Sequence, residues 1–412
     1  MRKLAILVLL GAMVLPARTE KPVRTRRLTV EQLEQFLSAA HGLKDKELAK
    51  QIYDTRLAER LSEEKRSIFE KELPGPRSQG ALTAIADESD FLDLPSAEVP
   101  SQPAPTQDEQ GAILARAVDY VKSTIHRLPD LYATRMTTGF VGTTMAIPPF
   151  AHNSIPNLTM FPNDQRLSPA VKFRVVVLYR NGRDTYVNER RRVAIECDWR
   201  DAAWVSATIE DGGQFGEILA PVPEIVAQGH VSWGHWERHG ESLLAVFHYA
   251  AILPFQYELK CPDVPTPPGS FEYWGEFAVN PDDGSILRIT RSRRGMFDWP
   301  WLVRPEMEQT MISVSYGSVE IGERIYICPL RAVVVGLGPA LDLPAEAKIF
   351  DHQFHLSEDP VLEGLSDMTF SEYHMFRSNA RILPGLSQTP EMGPSNSAPA
   401  NPPPSASAPR EK

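Results

Sequence analysis

YWGEFAVNPDDGSILRI, Tyr273 to Ile289, reads as two strands joined by a tight turn. Tyr273, Phe277 and Val279 alternate with Trp274, Glu276 and Ala278, the period of a strand with two faces. In Pro281-Asp282-Asp283-Gly284 the proline presets φ, the aspartates bond nearby backbone, and glycine takes the positive φ. Ile286 and Arg288 then alternate with Leu287 and Ile289. Strand and turn physics thus explains the whole stretch and leaves no reactive group over.

The same period extends from Leu131 onward. LYATRMTTGF and VKFRVVVLYR are rich in β-branched and aromatic residues, and Asn181-Gly182 is a hairpin signal. VSWGHWE, LLAVFHYAAIL, FQYELKC, MISVSYGSVEI, RIYICPLRAVVVGL and MTFSEYHMFRSNARIL continue the pattern. One short helix interrupts at PEIVAQ, with Pro223 at its first position and Gly229 after it. About ten strands with few helices between them predict an antiparallel sheet.

Upstream the period is helical. In LTVEQLEQFLSAAHG, Val30, Leu33, Phe36, Leu37 and Ala40 recur at three- and four-residue steps, between a Thr29 cap and Gly42. Asp45 opens a second helix, Ser62 a third that Pro74 stops, and RSQGALTAIADESDFL a fourth. A longer helix in DEQGAILARAVDYVKSTIHRL carries Ile113, Leu114, Ala117, Val118, Val121 and Ile125 on one stripe.

The organisation that follows is a leader at 1–17, a basic loose segment at 18–27 and a helical region at 28–94. A proline-rich linker occupies 95–107, a helix plus antiparallel β domain 108–384, and a Pro/Ser/Ala-rich tail 385–412. The tail has almost no large apolar residue and cannot offset the entropy of ordering, so it reads as disordered. The leader reading rests on Arg2 and Lys3 before the apolar run Leu4–Leu15, with Ala17 as the small residue at the cut. An uncleaved anchor is the other reading, although the run is short for a bilayer span. Export to a periplasmic or extracellular space follows, with no stable transmembrane span after processing.

The formal net charge of −10 argues against nucleic acid as a partner. Three cysteines in an oxidising compartment suggest one bridge and one spare thiol. Cys261 and Cys328 each end a strand-like run before a proline and are the bridge candidates; Cys197 lies in a charged segment. Such a bridge would stabilise the fold by about 4 kcal/mol. Three buried thiols are the other reading.

GHVSWGHWERHG supplies the metal candidates His230, His235 and His239, with His248 nearby and Glu237 as a conceivable base. Their spacing departs from the helical His-Glu-x-x-His arrangement, and the surroundings read as strand. Alternation puts His235 beside Trp233 and Glu237, and His230 on the opposite side. A tryptophan-flanked strand explains the segment without metal. RSRRG, Arg291 to Gly295, reads as a solvated basic loop. No G-x-S-x-G elbow and no phosphate loop occur, so no catalytic or cofactor-binding residue is assigned.

From about Leu131 to Leu383 the strands resemble the exported bacterial lipoprotein-carrier superfamily of LolA-, LolB- and RseB-like proteins. FAVNPDDGSILRI is similar to that group's strand–Pro–turn–Gly–strand hairpin, and SVEIGERIYICPL and FSEYHMFRSNARIL to its later strands. The whole chain also resembles a set of exported bacterial proteins with a helical front and a β-rich back. The resemblance implies an incomplete barrel around an apolar cavity for acyl chains, with Asp108–Leu128 on its concave side.

The fold class expected is therefore α+β, a short-helix region followed by a large, strongly curved, half-barrel-like antiparallel sheet. The function expected is non-enzymatic carriage or binding of an apolar lipid or acyl ligand, without a cofactor. An envelope interaction or sensor module is the alternative, and a zinc-dependent hydrolase a third class.

Overall fold

The change of period at residue 131 is where the sheet begins. The structure, a computed structural model, describes residues 26–142, 167–180, 182–187, 213–254, 270–295, 309–342 and 355–375. The expected leader, Cys197, Cys261 and the tail from 385 lie outside the described residues.

The front comprises β1 (Arg26–Leu28), α1 (Val30–Ala39), α2 (Asp45–Tyr53), β2 (Thr55–Leu57), α3 (Glu63–Glu72) and α4 (Pro76–Ser89). Thr29 caps α1 reciprocally. Its hydroxyl accepts from the Gln32 N–H, and the Gln32 side chain accepts from the Thr29 N–H. Gly42, at φ +99°, then turns the chain. Leu33, Leu37, Ile52, Leu82 and Ile85 converge in the core that these short helices need. The end of the basic stretch, expected to be loose, is instead β1, paired in parallel with β2. A three-residue strand is too short to show a period, so only the pairing reveals it.

Between the front and the sheet, residues 95–106 carry neither helix nor strand, yet they are anchored. Trp236 Nε1 donates to the Pro103 carbonyl at 2.8 Å, and Lys65 pairs with Glu98 at 3.2 Å.

The remaining elements are α5 (Gln107–Arg127), β3 (Leu131–Gly142), β4 (Leu167–Arg180), β5 (Arg183–Val187) and α6 (Val222–Gln228). After them come β6 (His230–His239), β7 (Ser242–Pro254), β8 (Ser270–Val279), β9 (Ile286–Gly295), β10 (Gln309–Ile321), β11 (Arg324–Asp342) and β12 (His355–Met375). β3 to β12 form one ten-stranded sheet in the order β5-β4-β3-β12-β11-β10-β9-β8-β7-β6. Every pairing in it is antiparallel.

The expected half-barrel is corrected: the sheet is open, with β5 and β6 at its edges, and is neither closed nor strongly curled. It covers its apolar face with its own helices instead of rolling up on itself. The order explains how. The chain leaves β5 at one edge and re-enters in β6 at the other, nine spacings or about 43 Å away on a flat sheet. Residues 213–228 belong to that crossing. Phe215, Ile218, Leu219, Val222 and Ile225 bury themselves on the way.

The β8–β9 hairpin forms as its sequence predicts. The Gly284 N–H donates to the Asn280 carbonyl at 2.9 Å with φ +76°, and Asp283 Oδ1 accepts from the Ser285 N–H at 2.8 Å. The alternation of Ile286 with Leu287 breaks, however. The register shifts opposite Ala278 and Val279, so Ile286 and Ile289 both enter the core while Arg288 faces away.

Candidate functional site

Each face of the sheet is covered by a different chemistry. The first face is apolar. Val175, Val177, Phe247, Phe277, Ile312, Val334 and Phe370 share one buried cluster with Ile113, Ala117 and Val121 of α5. Those α5 positions are four residues apart, so they form one stripe along the helix. Beneath α5 the β8–β9 turn comes so close that a Cβ on Gly284 would lie 2.4 Å from Arg116 backbone atoms. The described α5 side chains reach this face through apolar contact; the helix's side-chain hydrogen bonds stay within it or with the adjoining Pro105 and Thr106.

The second face meets the front through charge. Arg60, 5% exposed, donates to Glu237 on β6 at 2.6 Å and to Glu276 on β8 at 3.2 Å. Arg288 on β9 donates to the same two carboxylates at 2.7 and 2.6 Å. Burial works to raise Glu237, but Arg288, the nearby His235 and Arg60 outweigh it and hold the carboxyl well below the usual range. Glu276 is lowered in the same way, burial being outweighed by Arg288 and Arg60. A second cluster joins Arg66 and fully buried Asp87 (3.1 Å) to Arg331, which also donates to Asp367 at 3.0 Å. Complete burial pushes the Asp87 carboxyl well above the usual range, against the pull of Arg331 and Arg66. On the strands of the second cluster and on β3, Ala84 and Phe91 pack on Phe140, Val333, Val335 and Leu365.

The lowered glutamates give a pH prediction. Their folded pKa lies below the unfolded value of about 4.3, so the stability they contribute is present above that pH. It is lost as pH falls through the folded values. Urea midpoints are expected to drop steeply below about pH 4, and Glu237→Gln to flatten the drop. An unchanged acid slope in that variant would remove Glu237 as its source.

The three histidines are not brought together. His230 and His239 stand exposed at the two ends of β6, roughly 30 Å apart by strand rise. Among the described residues no three His, Cys, Asp or Glu side chains are placed to hold a metal. A register shift at Gly234 keeps His235 on the face of Glu237, as expected, but separates it from Trp233. Trp233, opposite Phe247, packs on the first face, whereas His235 lies 3.7 Å from Glu237 on the second. His230, opposite Ala250, shares that second face rather than opposing it. Cys328 is a buried free thiol on the first face, pushed up to about 12 by burial. Its candidate partner Cys261 is outside the described residues.

Sequence reasoning missed Glu276 and Arg288, taken as ordinary hairpin positions, and Arg60 altogether. It also misplaced Arg291: not a solvated loop residue, it lies in β9, 9% exposed, with its guanidinium 5.7 Å from the Tyr273 ring centre. A signal did exist, since Arg288 is opposite Ala278, two residues from Glu276, which makes the two a diagonal pair across a readable hairpin.

No protein-family model matches the chain, and no curated protein matches it. Among solved structures it is similar to a LolA superfamily protein from Nitrosomonas europaea at 9% identity. That alignment covers 64% of this chain and 92% of that one, with a TM-score of 0.23.

Proposed function

We propose that the chain is an exported, non-enzymatic binding protein whose apolar ligand, a lipid or acyl chain, takes the first face of the sheet in place of α5. The observation that carries this is the asymmetry of the two covers. The front is fixed by buried ion pairs with set geometry. α5 is held by non-directional apolar burial around Ile113, Ala117 and Val121, which another apolar body of similar width can replace. The basic residues and apolar run at 2–15 support export, and the likeness of the strands to exported carriers supports the ligand class.

A fluorescent acyl probe is expected to bind the mature protein at micromolar concentration, and its binding to raise amide exchange across α5 but not across α1–α4. No binding at that concentration would sink the proposal. Binding without any change in α5 would place the probe elsewhere. The envelope-interaction alternative is separated by what co-purifies: lipid with a carrier, protein with an interaction module.

A further inference from the structure

We infer that residues 95–106 are a latch that gates the first face. The hydrogen bond from Trp236 to Pro103 keeps the N-terminal end of α5 down, and its breaking lets that end swing out and admit the ligand. The inference rests on the apolar-ligand reading above and names what regulates that site.

The tethers of α5 decide which end can leave. From Arg127 the chain reaches Leu131 within about 14 Å, and β3 is paired on both sides, so the C-terminal end stays with the sheet. At the other end the chain is fixed further back, where Glu98 pairs with Lys65. From Glu98 to Gln107 it could extend about 30 Å, close to the helix's own length of about 31 Å. The bond to the Pro103 carbonyl cuts that reach to about 14 Å, as short as the tether at the C-terminal end. With the latch closed both ends are held alike; with it open only the C-terminal end is.

The latch is coupled to the helix and built to open. Gln110 Nε2 donates to the Pro105 carbonyl at 2.8 Å and Thr106 caps α5 with Glu109, so Pro105 moves with the helix. The prolines at 103 and 105 fix their own φ, which leaves little between latch and helix to bend. On the sheet side Trp236 is buried in the same cluster as Ile113, Ala117 and Val121, its ring centre 5.0 Å from that of Trp233. Its indole offers one donor and no acceptor, and Pro103 supplies the matching carbonyl. Pro103 itself is exposed, so water can take the place of that carbonyl when the strap lifts. One net hydrogen bond of this kind shifts a population by about fivefold, enough to keep α5 down yet leave the open state within reach of a ligand.

The test titrates dansyl-labelled undecanoic acid into wild type, Trp236→Phe, an insertion of about six Gly-Ser residues after Ala104, and the two changes combined. Phenylalanine keeps an aromatic ring in the cluster and removes the donor. The insertion keeps the bond and frees the helix by another route. Each should bind the probe about fivefold tighter than wild type, because opening no longer breaks the latch. Together they should gain no more than either alone, since both remove the same step. Lys65→Met, which cuts the anchor behind the latch, should stay within about twofold of wild type. In ligand-free Trp236→Phe, amide exchange should quicken from Gln107 to Ala117 and less from Val118 to Arg127. Unchanged or weaker binding in either single variant, with wild type still binding, overturns the latch and leaves the apolar reading standing. Gains that multiply in the combined protein, or exchange rising evenly along α5, overturn it too. If Trp236→Phe does not fold, the insertion decides alone by the same criterion. Failure of wild type to bind the probe overturns the apolar reading first and the latch with it.

Discussion

Gly284→Ala is expected to cost about 3–4 kcal/mol, a fall of roughly 10 °C in melting temperature. Two effects add at this position. Any L side chain at φ +76° is strained by about 1 kcal/mol or more. The new methyl would also sit 2.4 Å from the carbonyl carbon and oxygen of Arg116, main-chain atoms in the middle of a helix that cannot step aside. Forcing α5 off the turn disturbs the contacts of Ile113, Ala117 and Val121 with the first face. Gly240, in the β6–β7 turn, is the control: it also has positive φ, +57°, but nothing lies within 4 Å of its built Cβ. Gly240→Ala should therefore lose only the strain, about 1 kcal/mol. Equal small losses in the two variants would mean that α5 is not seated on the hairpin. If α5 is the element a ligand displaces, Gly284→Ala should also bind an acyl probe more tightly than wild type at temperatures where it stays folded.

Local chemistry made most elements legible. Thr29 with Gln32 is a capping box visible three residues apart, and Asn280 to Ser285 is a turn whose every hydrogen bond is foreseeable from residue type. The antiparallel sheet follows from about ten runs of period two interrupted by one short helix. Side-chain facing was less legible, for a physical reason. One inserted residue inverts every assignment beyond it. Gly234 and the shift beside Val279 do this on β6 and β9, moving His235 away from Trp233 and Arg288 away from Ile286. The charged cluster was beyond reach because Arg60 and Glu276 are 216 positions apart and meet only after the front docks. The curvature expected from the resemblance failed because how a sheet hides its apolar face depends on what covers it. Here the return from β5 to β6 and α5 supply the cover.

Arg288→Met is expected to destabilise by about 3–5 kcal/mol and to loosen the front rather than α5. Arg288 has 12% of its side chain exposed and lies 2.7 and 2.6 Å from two carboxylates whose own exposure is 14%. Two glutamates and two arginines, counted with Arg60, balance in a region largely closed to water. Methionine keeps most of the packing volume but leaves Glu237 and Glu276 sharing one guanidinium, an uncompensated buried negative charge. Its cost comes from lost solvation, so 0.5 M salt should change it little, unlike that of an exposed pair. Adding Glu276→Gln should restore part of the loss, with a coupling of about 1–3 kcal/mol, because it removes the surplus charge that the first change created. The opening should register in α3 and α4 as faster amide exchange, since Arg60 precedes α3 and ties it to β6 and β8. Probe affinity at the first face should stay within about twofold, the cluster being on the other side of the sheet. A loss under about 1 kcal/mol that also fades with salt would reduce the cluster to a surface ion pair. The contrast between a charge-locked front and an apolar-held α5 would then be lost.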